Sequence, residues 1–167
     1  MTRIGLLSDT HGYLDDPVLN FFSGCDEIWH AGDLGDLGIM DRLAENRIFR
    51  GVHGNIDGWN IVRELPLFQE FTIEEVSVLI THIGFQSGRF TQAVAERLNS
   101  FKPKVFVCGH SHILKVKYDE SRQMLQINPG AAGLQGIHQV RTAVRFNVNG
   151  ERISDLEVLE LPRKANP

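Results

Sequence analysis

The chain has 167 residues, 42% of them hydrophobic and 23% charged, with a net charge of −4. That length suits one domain with a sizeable core, expected over residues 1–162 with a short flexible polar tail at 163–167. The acidic balance argues against a nucleic-acid or membrane-surface binder, which would need a basic face, and no apolar run is long enough for a signal peptide or a membrane span. Cys25 and Cys108 stand far apart and outside any CxxC, so a disulfide framework is not expected and a reduced, cytoplasmic compartment is.

The first element, "RIGLLS", is a continuous apolar run, the pattern of a buried strand, and it runs into the polar loop "DTHG". A helix is expected over "DPVLNFFSG", with Asp16 as its cap, Pro17 in its first position and Gly24 at its end. "EIWH" reads as a second strand ending in "AGDLGD", and Ile39, Met40, Leu43 and Ala44 then recur at helical spacing. "RIFRGV" is a third strand, ending in "HGNIDG". Strands alternating with helices imply parallel pairing, and such sheets place ligands at the carboxyl ends of their strands.

"LFQEFTI" and "VSVLIT" then read as strands around a turn at Glu74 and Glu75, the second ending in "HIG". "FTQAVAERLNSF" reads as an amphipathic helix with Phe90, Val94, Leu98 and Phe101 on one face. "KVFVC" is a buried strand ending in "GHSH". The last third, "ILKVKYD", "QMLQINPG", "QVRTAVRFNV" and "LEVLEL", reads as antiparallel strands with a hairpin signal at Asn149 and Gly150. The expected fold class is α/β: two mixed sheets packed face to face, with helices outside.

The strand ends carry the chemistry. Asp9 and His11 follow the first strand, Asp33 the second, Asn55 the third, and His82, His110 and His112 the later ones. One divalent ion takes about four to six ligands. Seven candidates, four imidazoles, two carboxylates and one amide, suit two ions sharing a bridge. Asp33 is the natural bridge, because a carboxylate has two oxygens to offer. The imidazole–carboxylate mixture favours transition metals, with manganese preferred and nickel, zinc, iron or cobalt as alternatives. In an extended segment residues two apart project to one side, so His110 and His112 are expected to reach the site together, with Gly109 letting the backbone turn.

"SDTHG", "GDLGD", "GNID", "THIG" and "GHSH", in this order, resemble the motifs of the calcineurin-like metallophosphoesterases, and in particular the YfcE-like phosphodiesterase branch, whose "NPGS" segment matches Asn128 to Ala131. The resemblance implies a four-layer α/β/β/α sandwich. It also implies that Asp9, His11 and His112 hold one metal and Asn55, His82 and His110 the other, with Asp33 as the bridge. A hydroxide between the ions would attack phosphorus in line, with Asp33, Asn55 and His110 counted as catalytic as well as ligating. The expected substrate is a small phosphate ester, a diester in preference to a monoester, and a homo-oligomer stays open.

Ile56 stands where most of the family has a histidine, thought to protonate the leaving group or hold the phosphate. His53 or Asp57 is the local substitute to consider. "THIG" also lacks the second histidine of the branch's "THGH". Of the remaining residues, His30 and Asp36 read as structural groups behind the site, His138 as a solvent-exposed or rim residue, Trp29 and Trp59 as packing residues, and Arg89 and Arg141 as surface arginines able to meet a phosphate. The alternative function is a non-catalytic metal-binding interaction scaffold resembling the retromer subunit of the same fold.

Overall fold

The first strand explains the layering. The computed structural model describes residues 1–163, and in it β1 (Thr2–Leu7) is followed by α1 (Asp16–Phe21), β2 (Glu27–His30), α2 (Leu37–Ala44) and β3 (Ile48–Gly51). The run of β1 is apolar throughout because both of its faces are covered. Ile4 and Leu6 turn inward onto a second sheet, while Leu7 packs outward with Val18 and Phe22 of the α1 region and Ile39 and Leu43 of α2.

The chain continues as α3 (Trp59–Glu64), β4 (Phe68–Ile73), β5 (Val76–Thr81), β6 (Phe85–Gln86), β7 (Arg89–Phe90), α4 (Gln92–Phe101), β8 (Val105–Val107), β9 (Leu114–Asp119), β10 (Met124–Pro129), β11 (Val140–Asn149) and β12 (Arg152–Pro162). One sheet has the order β12-β11-β1-β2-β3 and the other β4-β5-β8-β10-β9. β1, β2 and β3 pair in parallel, as do β5, β8 and β10, while β11, β12, β4 and β9 pair antiparallel at the edges. The main core lies between the sheets, where Trp29, Val78, Val107, Ile127 and Phe146 meet. Val94 and Leu98 of α4 cover the outer face of the second sheet at Leu79 and Phe106. The four layers α/β/β/α are as expected.

Several boundaries move, each for a local reason. The N-cap of α1 is Asp15 and Asp16 lies inside the helix; the Asp15 carboxylate makes no capping bond because Arg141 holds it at 2.8 and 2.9 Å. The helix ends at Phe21, before Gly24. Phe90 belongs to β7, and α4 starts only after Thr91, whose hydroxyl accepts the Val94 N–H at 3.3 Å; Phe90 and Phe101 still pack on the α4 cluster. The β11–β12 turn is Gly150–Glu151, one residue later than expected, with Gly150 at φ +59°. α3 and the β6–β7 hairpin were not anticipated; α3 buries only Ile61, which leaves no periodic signal. Arg163, assigned to the tail, donates to the Leu134 carbonyl at 2.9 Å, and the rest of that tail, 164–167, lies outside the described residues. No helix among the described residues is long and apolar enough to cross a membrane.

Gly5 gives a test of the outer layer. A Cβ there would stand 2.6 Å from the Phe22 ring and 2.7 Å from Ile28, both fully buried. Gly5→Ala should cost about 1–3 kcal/mol, the usual penalty of overpacking. Thermal denaturation should then show a melting point lower by roughly 3–10 °C for a chain of this size.

Candidate metal centre

The loops after β1, β2, β3, β5 and β8 meet at one end of the two sheets. Backbone hydrogen bonds tie them together: Asp9 N–H to Gly32 O at 3.0 Å, His11 N–H to Asp33 O at 3.0 Å, and Gly109 N–H to His82 O at 3.0 Å. The backbone is left-handed at Asp9, His11, Asp33, His110 and His112, with φ between 48° and 69°. Each such residue stores about 1–3 kcal/mol of strain, which persists only where the surroundings hold it. The curl turns these side chains inward. His110 and His112 therefore reach the site from a left-handed turn, and the extended geometry expected for "GHSH" is not what brings them there. Gly109 also has a different reason: a Cβ on it would overlap the Ser8 hydroxyl.

Two clusters result, Asp9–His11–His112 and Asp9–Asp33–His82, each offering atoms within 4.8 Å of one another. Asp9 Oδ1 stands 3.1 Å from His112 Nε2 and 3.9 Å from both His11 Nε2 and His82 Nε2. Asp33 Oδ2 lies 3.2 Å from His82 Nε2 and 3.8 Å from His11 Nε2. Asp9 is thus common to both clusters, and Asp33 also lies between two histidines. His110 is exposed beside His82, ring centroids 5.3 Å apart. Asn55 is exposed on the next loop, where the Ile56 N–H donates to Asp33 Oδ1 at 3.1 Å. A Cβ at the intervening Gly54 would overlap the Asp33 carboxylate, which keeps that loop against the site.

The imidazole orientations are fixed from behind. His82 Nδ1–H donates to Ala31 O at 2.8 Å, which leaves the Nε2 lone pair facing the carboxylates. His138 Nε2–H donates to Gly133 O at 3.1 Å, so its Nδ1 accepts from His112 Nδ1–H at 3.3 Å and frees His112 Nε2 in the same way. His138 is half-buried against His112 and is not a rim residue; its only sequence signal is that it is a histidine left over.

An imidazole nitrogen turned toward a carboxylate is held there by a proton or a metal ion between the two. Asp9 Oδ1 and His82 Nε2 are both buried and have no hydrogen-bond partner. Buried polar atoms of this kind are rare without an ion. Burial alone would lower the His82 pKa, but Asp33 and Asp9 outweigh it and raise it. Burial likewise pushes the Asp33 carboxyl up, and His82, the Ile56 N–H and His11 pull it down further than that. The donor set fits a divalent transition metal.

Other groups hold the loops. Buried His30 is pushed down to a pKa of about 4 by desolvation, so it is neutral; its Nδ1 accepts from Gly32 N–H at 3.1 Å and its Nε2–H meets Thr10 Oγ1 at 2.9 Å. The Asp57 carboxylate accepts backbone N–H groups of Leu34, Gly35 and Gly54 at 3.2, 2.8 and 2.8 Å. It staples the second loop to the third and is not a free proton donor. Asn128, of "NPGA", donates to Gly109 O at 2.9 Å and Ser111 Oγ at 3.0 Å, fixing the "GHSH" turn. Asp36 caps α2. Arg141 is buried on Asp15 and does not face the site; Trp29 packs in the core, whereas Trp59 is 75% exposed.

The pattern of the Calcineurin-like phosphoesterase superfamily domain matches residues 2–151. A probable metallophosphoesterase of Mycoplasma pneumoniae is 32% identical over 164 residues, 93% of this chain and 96% of its own. Another, from Methanocaldococcus jannaschii, is 31% identical over 134 residues, 77% of this chain and 67% of its own. Solved structures of similar fold include an archaeal phosphodiesterase, with TM-score 0.74, 23% identity and coverage of 95% of this chain and 99% of that one. Vps29 of Chaetomium thermophilum has TM-score 0.72, 18% identity and coverage of 97% and 99%. These two likenesses concern the fold alone.

Asp57→Ala removes the acceptor of three backbone N–H groups at once. Leaving buried donors unpaired costs about 1–3 kcal/mol each, and water reaching this half-buried site recovers part of that. Urea unfolding should show a loss of roughly 2–4 kcal/mol, with Asp57→Asn losing less because it keeps one acceptor oxygen.

Proposed function

This chain belongs to the calcineurin-like phosphoesterase superfamily, and from that premise we propose that it is a dinuclear metal-dependent phosphoesterase favouring diesters and activated esters. The observation that carries this is the pair of buried, unpartnered atoms, Asp9 Oδ1 and His82 Nε2, turned toward each other within a ring of histidine and carboxylate groups. Asp9, His11 and His112 would hold one ion. Asn55, His82 and His110 would hold the other, with Asp33 shared. Two such ions, when bound, supply a nucleophile at neutral pH and neutralise phosphoryl oxygens. Manganese is the first ion to test.

The diester preference rests on the groups around Ile56. Its side chain is 47% exposed and cannot transfer a proton. The Asp57 carboxylate is engaged by three backbone N–H groups, and His53 turns Nδ1 toward Gly54 O at 3.3 Å. Leaving groups that depart without a proton therefore suit the site best.

A second reading, the non-catalytic scaffold, is favoured by one feature. Ile56, Ile83, Ile113 and Ile137 are 47%, 36%, 67% and 94% exposed, and each is next in sequence to Asn55, His82, His112 or His138. An apolar rim of this kind suits a covering partner. Manganese-loaded protein with no turnover on any ester would favour this reading.

Elemental analysis after loading and gel filtration should find two ions per chain, and a single ion would overturn the dinuclear centre. Asp33→Asn, which removes the shared carboxylate, should lose most of both. His138→Ala should weaken binding about 10–100-fold, the usual effect of removing a group that orients a ligand.

Bis-p-nitrophenyl phosphate, whose leaving group needs no proton, should be turned over at least about 10²-fold faster than a simple alkyl monoester, the usual worth of the missing general acid. Comparable rates on the two would contradict the diester preference.

A further inference from the structure

Next to His110 the surface opens into a cleft of about 420 Å³. Phe85, Ile113 and Ile127 form apolar parts of its lining, and Lys115 and Gln126 are polar members. His110 lines the cleft too, so it is continuous with the candidate metal centre. The volume lies in the range of small-molecule sites, which are mostly apolar with a few polar groups.

The chemistry of the lining is specific. Phe85 already stacks on Phe90, with centroids 4.6 Å apart and planes 28° apart, and is half-buried. The Lys115 ammonium lies over the Phe85 ring, 5.5 Å from its centroid, and forms no salt bridge among the described residues. Ile113, directly after His112, is 67% exposed. A half-buried aromatic ring, an exposed isoleucine and a cation without a salt-bridge partner, all beside a centre built for a phosphoryl group, complement a molecule that joins a ring to a negatively charged phosphate.

We infer that this cleft is the specificity site of the enzyme: it seats an aromatic organic group of the phosphate ester, with Lys115 drawn to the ester's charge. This rests on the phosphoesterase reading above. Aromatic contact with the Phe85 ring and apolar contact with exposed Ile113 select the ring. Small alkyl esters leave the cleft to water and gain nothing from it.

The test separates binding from turnover. Manganese-loaded protein is titrated calorimetrically with phenylphosphonate and with methylphosphonate, which present the same charged head. The phenyl compound should bind about tenfold or more tighter, the discrimination an apolar pocket ordinarily gives. Phe85→Ala should bring the ratio toward one. Because Phe85 also packs on Phe90 and Phe106, Ile113→Ser at an exposed position is the second variant, and it should reduce the ratio several-fold. Equal affinities in the unmodified protein, or a phenyl advantage undiminished in both variants, would overturn the assignment. Turnover of bis-p-nitrophenyl phosphate is read in parallel. Turnover without a phenyl preference removes the cleft alone; a phenyl preference without turnover keeps the cleft as a binding site and removes the phosphoesterase reading.

Discussion

A bare carboxylate oxygen inside the protein is the constraint on which the rest depends. Asp9 is fully buried; its Oδ2 accepts the His110 N–H at 3.2 Å, but its Oδ1 has no hydrogen bond. Burying a charge without compensation is among the costliest arrangements a fold can contain. Three imidazole nitrogens surround that oxygen at 3.1 to 3.9 Å, and those of His82 and His112 are turned so that lone pairs face it. Between such groups a proton or a metal ion holds the arrangement together. The family to which the chain belongs implies divalent metal ions, and these are the residues that suit them.

Holding such a cluster requires the surrounding loops to be rigid, and they are rigid for identifiable reasons. The strained φ values at Asp9, His11, Asp33, His110 and His112 would relax if the loops were free. Asp57 ties the second and third loops, neutral His30 with Thr10 ties the first and second, and Asn128 ties the "GHSH" turn to the end of β10. Beneath them, the parallel centres of both sheets bring the carboxyl ends of β1, β2, β3, β5 and β8 to one side. The inter-sheet core around Trp29 and Phe146 keeps the two sets of loops at fixed separation.

Fold alone does not decide what such a site does, since one architecture carries many functions. What separates a catalyst from a scaffold here is the site itself. Asp9, His11, Asp33, His82 and His112 gather within metal-binding reach, while the position after Asn55 holds an isoleucine, and the apolar cleft begins at His110.

The sequence determined the elements with strong local signals. The apolar runs of β1, β2, β5 and β8 and the helical spacing of Val94 and Leu98 were legible because periodicity and burial leave a mark on adjacent residues. The five residues the structure brings within metal-binding reach, Asp9, His11, Asp33, His82 and His112, follow the ends of β1, β2, β5 and β8 in the sequence. Short elements such as α3 and β6–β7 left no mark; the start of α4 moved because Thr91 takes the local capping bond to Val94, and the non-local pairing of Asp15 with Arg141 is something no local rule reveals. The pairing of His138 with His112, the grip of Asp57 on three N–H groups and the position of Asp9 in both clusters were decided only by the tertiary structure. The physical reason is that a metal site needs lone pairs aimed in space. Aim depends on backbone curl and on hydrogen bonds between loops 20 to 100 residues apart, such as His30 with Thr10 and His112 with His11, which a one-dimensional pattern does not record.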